Sequence, residues 1–144
     1  MPEPDELLLV VWQWVQKAES DLQTATYMLR LGEGCPTEIV CFHAQECIET
    51  DPMALLVVHE TEFPWTHNLG LLISGLPRTV RPYLSPEEQE LLTDYATTIR
   101  YPGDYEPISL AEAKLSVRLA RRVRREIRRH LPRQATRRSP MRRE

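Results

Sequence analysis

The residues best suited to chemistry in this sequence follow one apolar run, in the segment from position 91 to position 105 that reads LLTDYATTIRYPGDY. Arg100 ends the run, and Pro102 and Gly103 then turn the backbone. An arginine stays charged at any ordinary pH, and its planar guanidinium matches the oxygens of a phosphate or a carboxylate. Residues at a helix end beside a rigid turn are held firmly yet stay open to a ligand. Arg100 is therefore the first candidate for binding an anion.

Three more polar side chains of this segment could contact the same ligand: Tyr101, Asp104 and Tyr105. A tyrosine hydroxyl can donate a hydrogen bond to phosphate, but its pKa near ~10 makes it a poor general base at neutral pH. An alternative remains open for Arg100. It would then cap the C-terminus of its helix, or pair with Asp94 or Asp104, and bind no ligand.

Charge is distributed unevenly along the chain. Residues 1–117 contain 6 Lys or Arg against 19 Asp or Glu, whereas residues 118–144 contain 12 Arg against 2 Glu, within a net charge of -3. An acidic body thus carries a basic end made of arginine alone. Three interpretations remain open: the basic end follows a nucleic acid backbone, docks on an acidic face of a partner or second subunit, or is a solvated helix face with a disordered tail. Arg121 and Arg125 are the candidates for contacts with phosphate.

Composition excludes several classes of protein. At 144 residues the chain fits one domain with a real core. It has no apolar run long enough to span a membrane, and its acidic start lacks the basic lead of a signal peptide, so we expect a cytoplasmic protein without membrane contact. The cysteines Cys35, Cys41 and Cys47 lack the two-residue spacing typical of zinc or redox sites. We therefore expect reduced, half-buried thiols, no metal and no cofactor.

Helices must position these residues, because apolar side chains recur at intervals of three and four along much of the chain. The first helix is predicted over residues 5–31, and its apolar stripe comprises Leu8, Val11, Val15, Ala18, Leu22, Ala25 and Leu29. The last is predicted between the cap Ser109 and Pro132, and its stripe comprises Leu110, Ala113, Val117, Ala120, Val123, Ile127 and Leu131. No stretch alternates like a strand.

The second helix is predicted to begin at Pro36 or Thr37 and soon meets Pro52. A proline inside a helix deletes a hydrogen bond and clashes with the preceding turn, at ~3 kcal/mol. Two outcomes remain open. The helix kinks at this point, or it stops and restarts with Asp51 as its cap.

Two shorter helices are predicted further along. The third covers residues 66–76, with Thr66 as its N-terminal cap. The fourth begins at Ser85, which forms a capping box with Glu88, and it delivers Arg100 at its end.

These patterns together predict an all-α protein, an antiparallel bundle of about five helices joined by short loops. Residues 1–131 would form the bundle. Residues 132–144 have almost nothing to bury, so we expect a disordered, arginine-rich tail there.

An ordered combination of motifs resembles the HEPN family over residues 12–129. The motifs are Trp14-x2-Lys17-Ala18-Glu19-x-Asp21-Leu22-x2-Ala25, Cys41-Phe42-His43-Ala44-Gln45-Glu46-Cys47-x-Glu49, Ala54-Leu55-Leu56, Thr66-His67-Asn68-Leu69 and Arg100-Tyr101-Pro102. The resemblance implies an antiparallel helical bundle that pairs as a homodimer and is often encoded beside a minimal nucleotidyltransferase. Many members are metal-independent ribonuclease toxins, in which an Arg-x4–6-His motif from each subunit meets across the dimer cleft.

In that motif, arginine would hold the scissile phosphate and histidine would move the proton of the 2'-hydroxyl. Arg100 matches the arginine, but Tyr105 stands where a histidine could follow, and no histidine lies within range. A ribonuclease would therefore need another base, such as His43 or His67. In some similar toxin systems the nucleotidyltransferase adds AMP to a tyrosine near the motif, and Tyr101 and Tyr105 are the matching positions here.

Three functions follow as alternatives. The leading hypothesis is a dimeric HEPN-type protein that binds nucleotide or RNA phosphate and works with a minimal nucleotidyltransferase, in a toxin–antitoxin-like system. Its predicted binding residues are Arg100, Tyr101, Asp104, Tyr105, His43, Arg121 and Arg125. The second is a metal-independent ribonuclease toxin that uses Arg100 with a non-standard base, with Tyr105 as the other candidate catalytic residue. The third is a structural subunit without a ligand.

Overall fold

The computed structural model describes residues 4–62, 66–97 and 106–137, and that part of the chain contains five α-helices and no strand. The helices are α1 Pro4–Leu29, α2 Thr37–Val58, α3 Leu69–Ser74, α4 Pro86–Thr97 and α5 Leu110–Arg128. Two short 3-10 helices, Arg78–Val80 and Arg133–Ala135, complete the described elements. The prediction of an all-α bundle is confirmed. None of the described helices combines the length and apolarity that crossing a membrane requires.

α2 forms the centre of the bundle, because it packs against α1, α3, α4 and α5. Its burial is correspondingly wide and includes several polar side chains as well as apolar ones. α1 and α5 bury one face each, as their stripes predict: Val11, Val15, Ala18 and Ala25 of α1 are fully buried, as are Ala113, Ala120, Val123 and Ile127 of α5. An amphipathic helix with one apolar stripe suits the outside of a bundle, whereas α2 is covered on most sides.

α2 continues through Pro52, so the helix does not stop and restart there. Pro52 has no N–H to donate to the Ile48 carbonyl, and an interior proline costs ~3 kcal/mol. The neighbouring turns bury Ile48, Leu55 and Leu56 completely. Burying each such side chain contributes about 1.5–3 kcal/mol, which is enough to keep the helix intact across the proline.

Helix caps agree with the sequence at two of three predicted starts. The Ser85 amide donates to Glu88 Oε1 at 2.9 Å and the Glu88 amide donates to Ser85 Oγ at 3.1 Å, which completes a capping box. Ser109 Oγ accepts from the Glu112 amide at 3.1 Å. Thr66 was the wrong cap for α3. Asn68 has that role, because its side-chain oxygen accepts from the Leu71 amide at 3.1 Å.

The arginine-rich end of the chain is described as far as Arg137. Within it the 3-10 helix Arg133–Ala135 packs against α1, and Ala135 is fully buried. Arg128 Nη2 donates to the Thr136 carbonyl at 2.8 Å and ties this segment to α5. The packed region therefore extends at least to Thr136. Residues 138–144 lie outside the described part, and disorder there stays a prediction.

All three cysteines are free thiols. Cys41 and Cys47 are fully buried on α2 and Cys35 is 8% exposed, so the expectation of half-buried positions was wrong. Cys41 and Cys47, which are six residues apart, point to different sides of α2. Both are buried because α2 is covered on most sides; on a helix with a single buried face, one of them would be partly exposed.

Candidate functional site

The predicted site residues divide into two groups. Arg100, Tyr101, Asp104 and Tyr105 lie outside the described residues, so their roles stay predictions. His43 on α2 and Arg121 and Arg125 on α5 are described, each with defined surroundings.

The arginines of α5 serve two different purposes. Three of them, Arg122, Arg124 and Arg128, are partly buried and bind other parts of the bundle. Arg122 Nη2 donates to Glu88 Oε1 at 2.9 Å and to the Tyr83 carbonyl at 3.0 Å. Arg124 forms a two-pronged ion pair with Glu19 of α1, and Arg128 Nη1 lies 3.8 Å from Glu19 Oε1. These three side chains hold α5 to α1 and to the start of α4.

The other arginines of α5 and its C-terminal cap Arg129 are exposed to solvent and form what we call the α5 arginine face: Arg118, Arg121, Arg125 and Arg129. Their spacing of three, four and four places them along one side of the helix. Arg121 Nη2 donates to Thr26 Oγ1 of α1 at 3.2 Å. Within the described residues, the side chains of Arg118, Arg125 and Arg129 make no hydrogen bond or ion pair. The face therefore presents a row of cations that the bundle does not neutralise.

A groove of about 430 Å³ runs between α1 and α5 at the edge of this face. It is lined by Glu19, Leu22, Gln23, Thr26, Tyr27, Arg30, Arg121 and Arg124. Tyr27 is 54% exposed there, and the Arg30 guanidinium lies 5.0 Å from the centre of its ring. An exposed aromatic ring beside two arginines can offer both a stacking surface and donors for an anion.

His43 belongs to a different surface. Its Nδ1 lies 2.8 Å from Asp21 Oδ1 of α1, and both side chains are partly buried. A carboxylate at that distance fixes the proton on Nδ1 and leaves Nε2 as the basic nitrogen. The exposed Phe42 ring stands nearly perpendicular to the imidazole, with centroids 5.3 Å apart. The pair has the arrangement of an oriented general base.

The Asp21–His43 pair and the groove lie on opposite sides of α1. Asp21 contacts His43 of α2, whereas Glu19, two residues earlier, contacts Arg124 of α5. Two residues along an α-helix correspond to a rotation of about 200°. The structure thus does not bring His43 together with Arg121.

A carboxylate–histidine cluster of Glu46, Glu49 and His67 lies beside the Asp21–His43 pair. His67 Nδ1 lies 2.9 and 3.0 Å from the two carboxylate oxygens of Glu49. This hydrogen bond raises the pKa of His67, while burial raises the pKa of Glu49 despite the pairing. Burial and then the charge of Asp21 raise the pKa of Glu46. Negative charge is therefore concentrated in this cluster, and burial makes the ionised form of both glutamates less favourable.

Sequence reasoning missed most of these partners. The proximity of Glu46 and Glu49 could be predicted from the sequence, because residues three apart share a helix face. The role of Asp21 could not be predicted, since its contact with His43 joins different helices. For His67 the sequence suggested the role of a substitute base. His67 is exposed, but its role is to pair with buried Glu49.

Comparisons with known proteins agree with this fold. The family model for the HEPN domain matches residues 11–130. A crystal structure of an archaeal HEPN homologue superposes with a TM-score of 0.67 at 23% identity, covering 85% of this chain and 98% of that one. At this identity the likeness concerns the fold. No curated protein matches the sequence.

Proposed function

The chain belongs to the HEPN family, and from that premise we propose that it binds the phosphates of RNA or of a nucleotide through the α5 arginine face. One observation carries the proposal: four arginines on one side of α5 point into solvent, while the intervening arginines are used inside the bundle. A structural role accounts for the arginines paired inside the bundle, but it does not explain why the arginines of the α5 arginine face are exposed. Exposed arginine rows of this kind suit a polyanion.

The dimensions of the face fit more than one phosphate. Arg118 and Arg129 are 11 residues apart, which at 1.5 Å per residue is about 16 Å along the helix axis. A single phosphate would occupy only part of such a row. We therefore favour RNA over an isolated phosphate ion as the ligand of the whole face.

The groove between α1 and α5 adds a place for a base. Tyr27 offers an exposed ring, and stacking of a base on an aromatic side chain contributes about 1–3 kcal/mol with little sequence preference. Arg30 and Arg121 border the same groove and could hold the adjoining phosphate. Glu19 at its other side is already paired with Arg124, so its repulsion of an anion is reduced.

We extend the proposal to the partners and residues that the sequence suggested. The chain would act as a homodimer with a minimal nucleotidyltransferase partner, in a toxin–antitoxin-like system. Arg100, Tyr101, Asp104 and Tyr105 would contribute further contacts to the nucleotide or RNA. The family membership and the basic face support this extension, and copurification of the full chain with its genomic neighbour would test it.

Binding of a fluorescent single-stranded RNA to the full chain, followed by anisotropy at several salt concentrations, tests the central claim. We expect affinity to fall steeply as salt rises. Arg125→Gln should weaken binding severalfold and reduce the slope of log K against log salt by about 0.7, the value for one lost contact on a single strand. Arg78→Gln removes an equally exposed charge outside α5 and should change neither. Equal effects of the two variants, or no binding at low salt, would leave the structural-subunit hypothesis.

A metal-independent ribonuclease is the second candidate, favoured by the 2.8 Å contact between Asp21 and His43. His43 Nε2 would accept the 2'-hydroxyl proton, and Arg100 would stabilise the charge on the phosphate. Incubating the protein with RNA and a chelator tests this. Cleavage that is lost in His43→Asn and Arg100→Ala but kept in His59→Asn would make this the function. Intact RNA at high protein concentration would exclude it.

A further inference from the structure

We propose that Glu46, Glu49 and His67 form a binding site for one divalent transition-metal ion, with Zn²⁺ as the best-fitting example. This site is separate from the α5 arginine face and does not depend on RNA binding. Cysteine spacing gave no metal signal in the sequence, because the ligands here are oxygens and a nitrogen that come from two segments.

The geometry already satisfies the main requirement of such a site. One ligand atom from each of the three side chains lies within 4.8 Å of the other two. A metal ion with bonds of about 2.0–2.2 Å to carboxylate oxygen and imidazole nitrogen holds ligand atoms at most about 4.4 Å apart, so side-chain shifts of a few tenths of an ångström are enough to complete the site.

Two separate elements hold the ligands in place. Glu46 and Glu49 are three residues apart on α2, so their side chains share one helix face. His67 precedes α3, and its backbone is fixed by a turn in which Thr66 Oγ1 accepts from the Asn68 amide at 3.0 Å. Asn68 in turn caps α3. α2 therefore fixes the positions of Glu46 and Glu49, and the turn before α3 fixes the position of His67.

The buried side chain of Gln45 is an independent sign of an absent ligand. It is fully buried, and its Oε1 has no hydrogen-bond partner among the described residues, whereas its Nε2 approaches the Glu49 carboxylate. Its amide adjoins Glu49 and lowers the pKa of that carboxyl, so it faces the cluster. Leaving a buried amide unpaired costs about 1–3 kcal/mol. A metal ion with its bound water would give this amide a polar partner.

Electrostatics favour a cation at this point. Burial raises the pKa values of both glutamates, and the charge of Asp21 adds to this at Glu46, as the charge of Glu46 does at Glu49. Lys17, His43 and His67 are the positive groups that act on Glu46 in the other direction. A divalent ion would offset this repulsion more strongly than a partly exposed histidine can.

The ligand set selects among metals. One imidazole with two carboxylates suits Zn²⁺, Mn²⁺ or Fe²⁺, whereas Mg²⁺ prefers oxygen ligands in octahedral geometry. Three protein ligands leave one position for water, as in catalytic zinc sites. His67 is 53% exposed while Glu49 is 8% exposed, so the open position would face solvent on the histidine side.

Isothermal titration of the chelator-treated full chain with Zn²⁺ and, separately, with Mg²⁺ tests the proposal. We expect one Zn²⁺ per chain, at least tenfold tighter than Mg²⁺, and a higher melting temperature with Zn²⁺. Glu46→Gln and His67→Gln should each weaken Zn²⁺ binding at least tenfold. His67 is exposed enough that its variant should fold, which circular dichroism will show. Glu38→Gln on α2 and His59→Gln directly after α2 make the same chemical changes elsewhere, and both variants should bind Zn²⁺ like the unaltered protein.

Two results would overturn the proposal. One is the absence of saturable Zn²⁺ binding. The other is binding that survives unchanged in Glu46→Gln and His67→Gln, which would assign the ion to the cysteines or to an adventitious surface site. In either case the His67–Glu49 hydrogen bond would be a structural ion pair and nothing more.

Discussion

Replacing Asp51 with asparagine should stabilise the protein at pH 8 and leave its stability almost unchanged at pH 4. Asp51 is only 1% exposed in the centre of α2. Burial raises the pKa of its carboxyl from 3.8 to about 7, although the charges of Arg124 and Arg128 act in the opposite direction. The thiol of Cys47 lies 3.6 Å from Asp51 Oδ2 and donates to it. An amide has the same size and keeps an oxygen for this contact.

The sign follows from proton linkage. Between pH 4 and pH 7 the folded carboxyl holds a proton that the unfolded one has lost, so folding stability falls as pH rises. The contribution is fully present below pH 3.8 and is lost as pH passes through about 7. The slope is about 1.4 kcal/mol per pH unit, which amounts to about 4 kcal/mol over the whole interval as an upper limit. Asparagine does not titrate and removes this loss.

Urea unfolding of both proteins at pH 4, 5, 6, 7 and 8 measures the difference. We expect the advantage of Asp51→Asn to grow from pH 4 to pH 7 and to level off between pH 7 and pH 8. Asp94→Asn removes a carboxyl from the exposed side of α4 and should change stability by less than about 0.5 kcal/mol at each pH. If Asp51→Asn instead lowers stability at pH 8, Arg124 and Arg128 stabilise the Asp51 carboxylate by more than its burial costs, and the reasoning from burial is refuted.

Three further predictions concern the fold and are checked by the free energy of unfolding at neutral pH. Leu55→Ala should cost about 2–5 kcal/mol, since Leu55 is fully buried and its removal leaves a cavity, and Ile39→Ala at an exposed α2 position should cost far less. Ser85→Ala should cost about 1 kcal/mol by removing the acceptor for the Glu88 amide; an unchanged value would mean that the capping box adds nothing. Gly34→Ala should destabilise by about 1 kcal/mol, because Gly34 has a φ of +91°, although open space surrounds its Cα.

Much of the fold could be predicted because its causes are local. The stripes of α1 and α5 are set by residues three and four apart, and the cap Ser85 acts within one turn. Thr66 shows the limit of this reasoning: two polar residues could cap α3, and Asn68 does so because the helix begins two positions later than predicted. Pro52 shows another limit, since burial of the neighbouring turns overrides the local preference of proline.

The candidate site was predictable only in part. Arginine-rich composition identified α5, but not which arginines face solvent, because that depends on where Glu88 and Glu19 lie. His43 was chosen for its chemistry, while its partner Asp21 is 22 residues away and carried no signal.

The sequence by itself determined the helices, two of their caps and the all-α class, because periodicity and capping depend on neighbours within four residues, and its motifs determined the family. Only the tertiary structure decided which polar groups meet. Glu19 and Arg124 are 105 residues apart, and Glu49 and His67 are 18 apart, yet each pair is in contact. Such contacts depend on which helix faces pack together around α2, and the summed burial of the whole core fixes that packing.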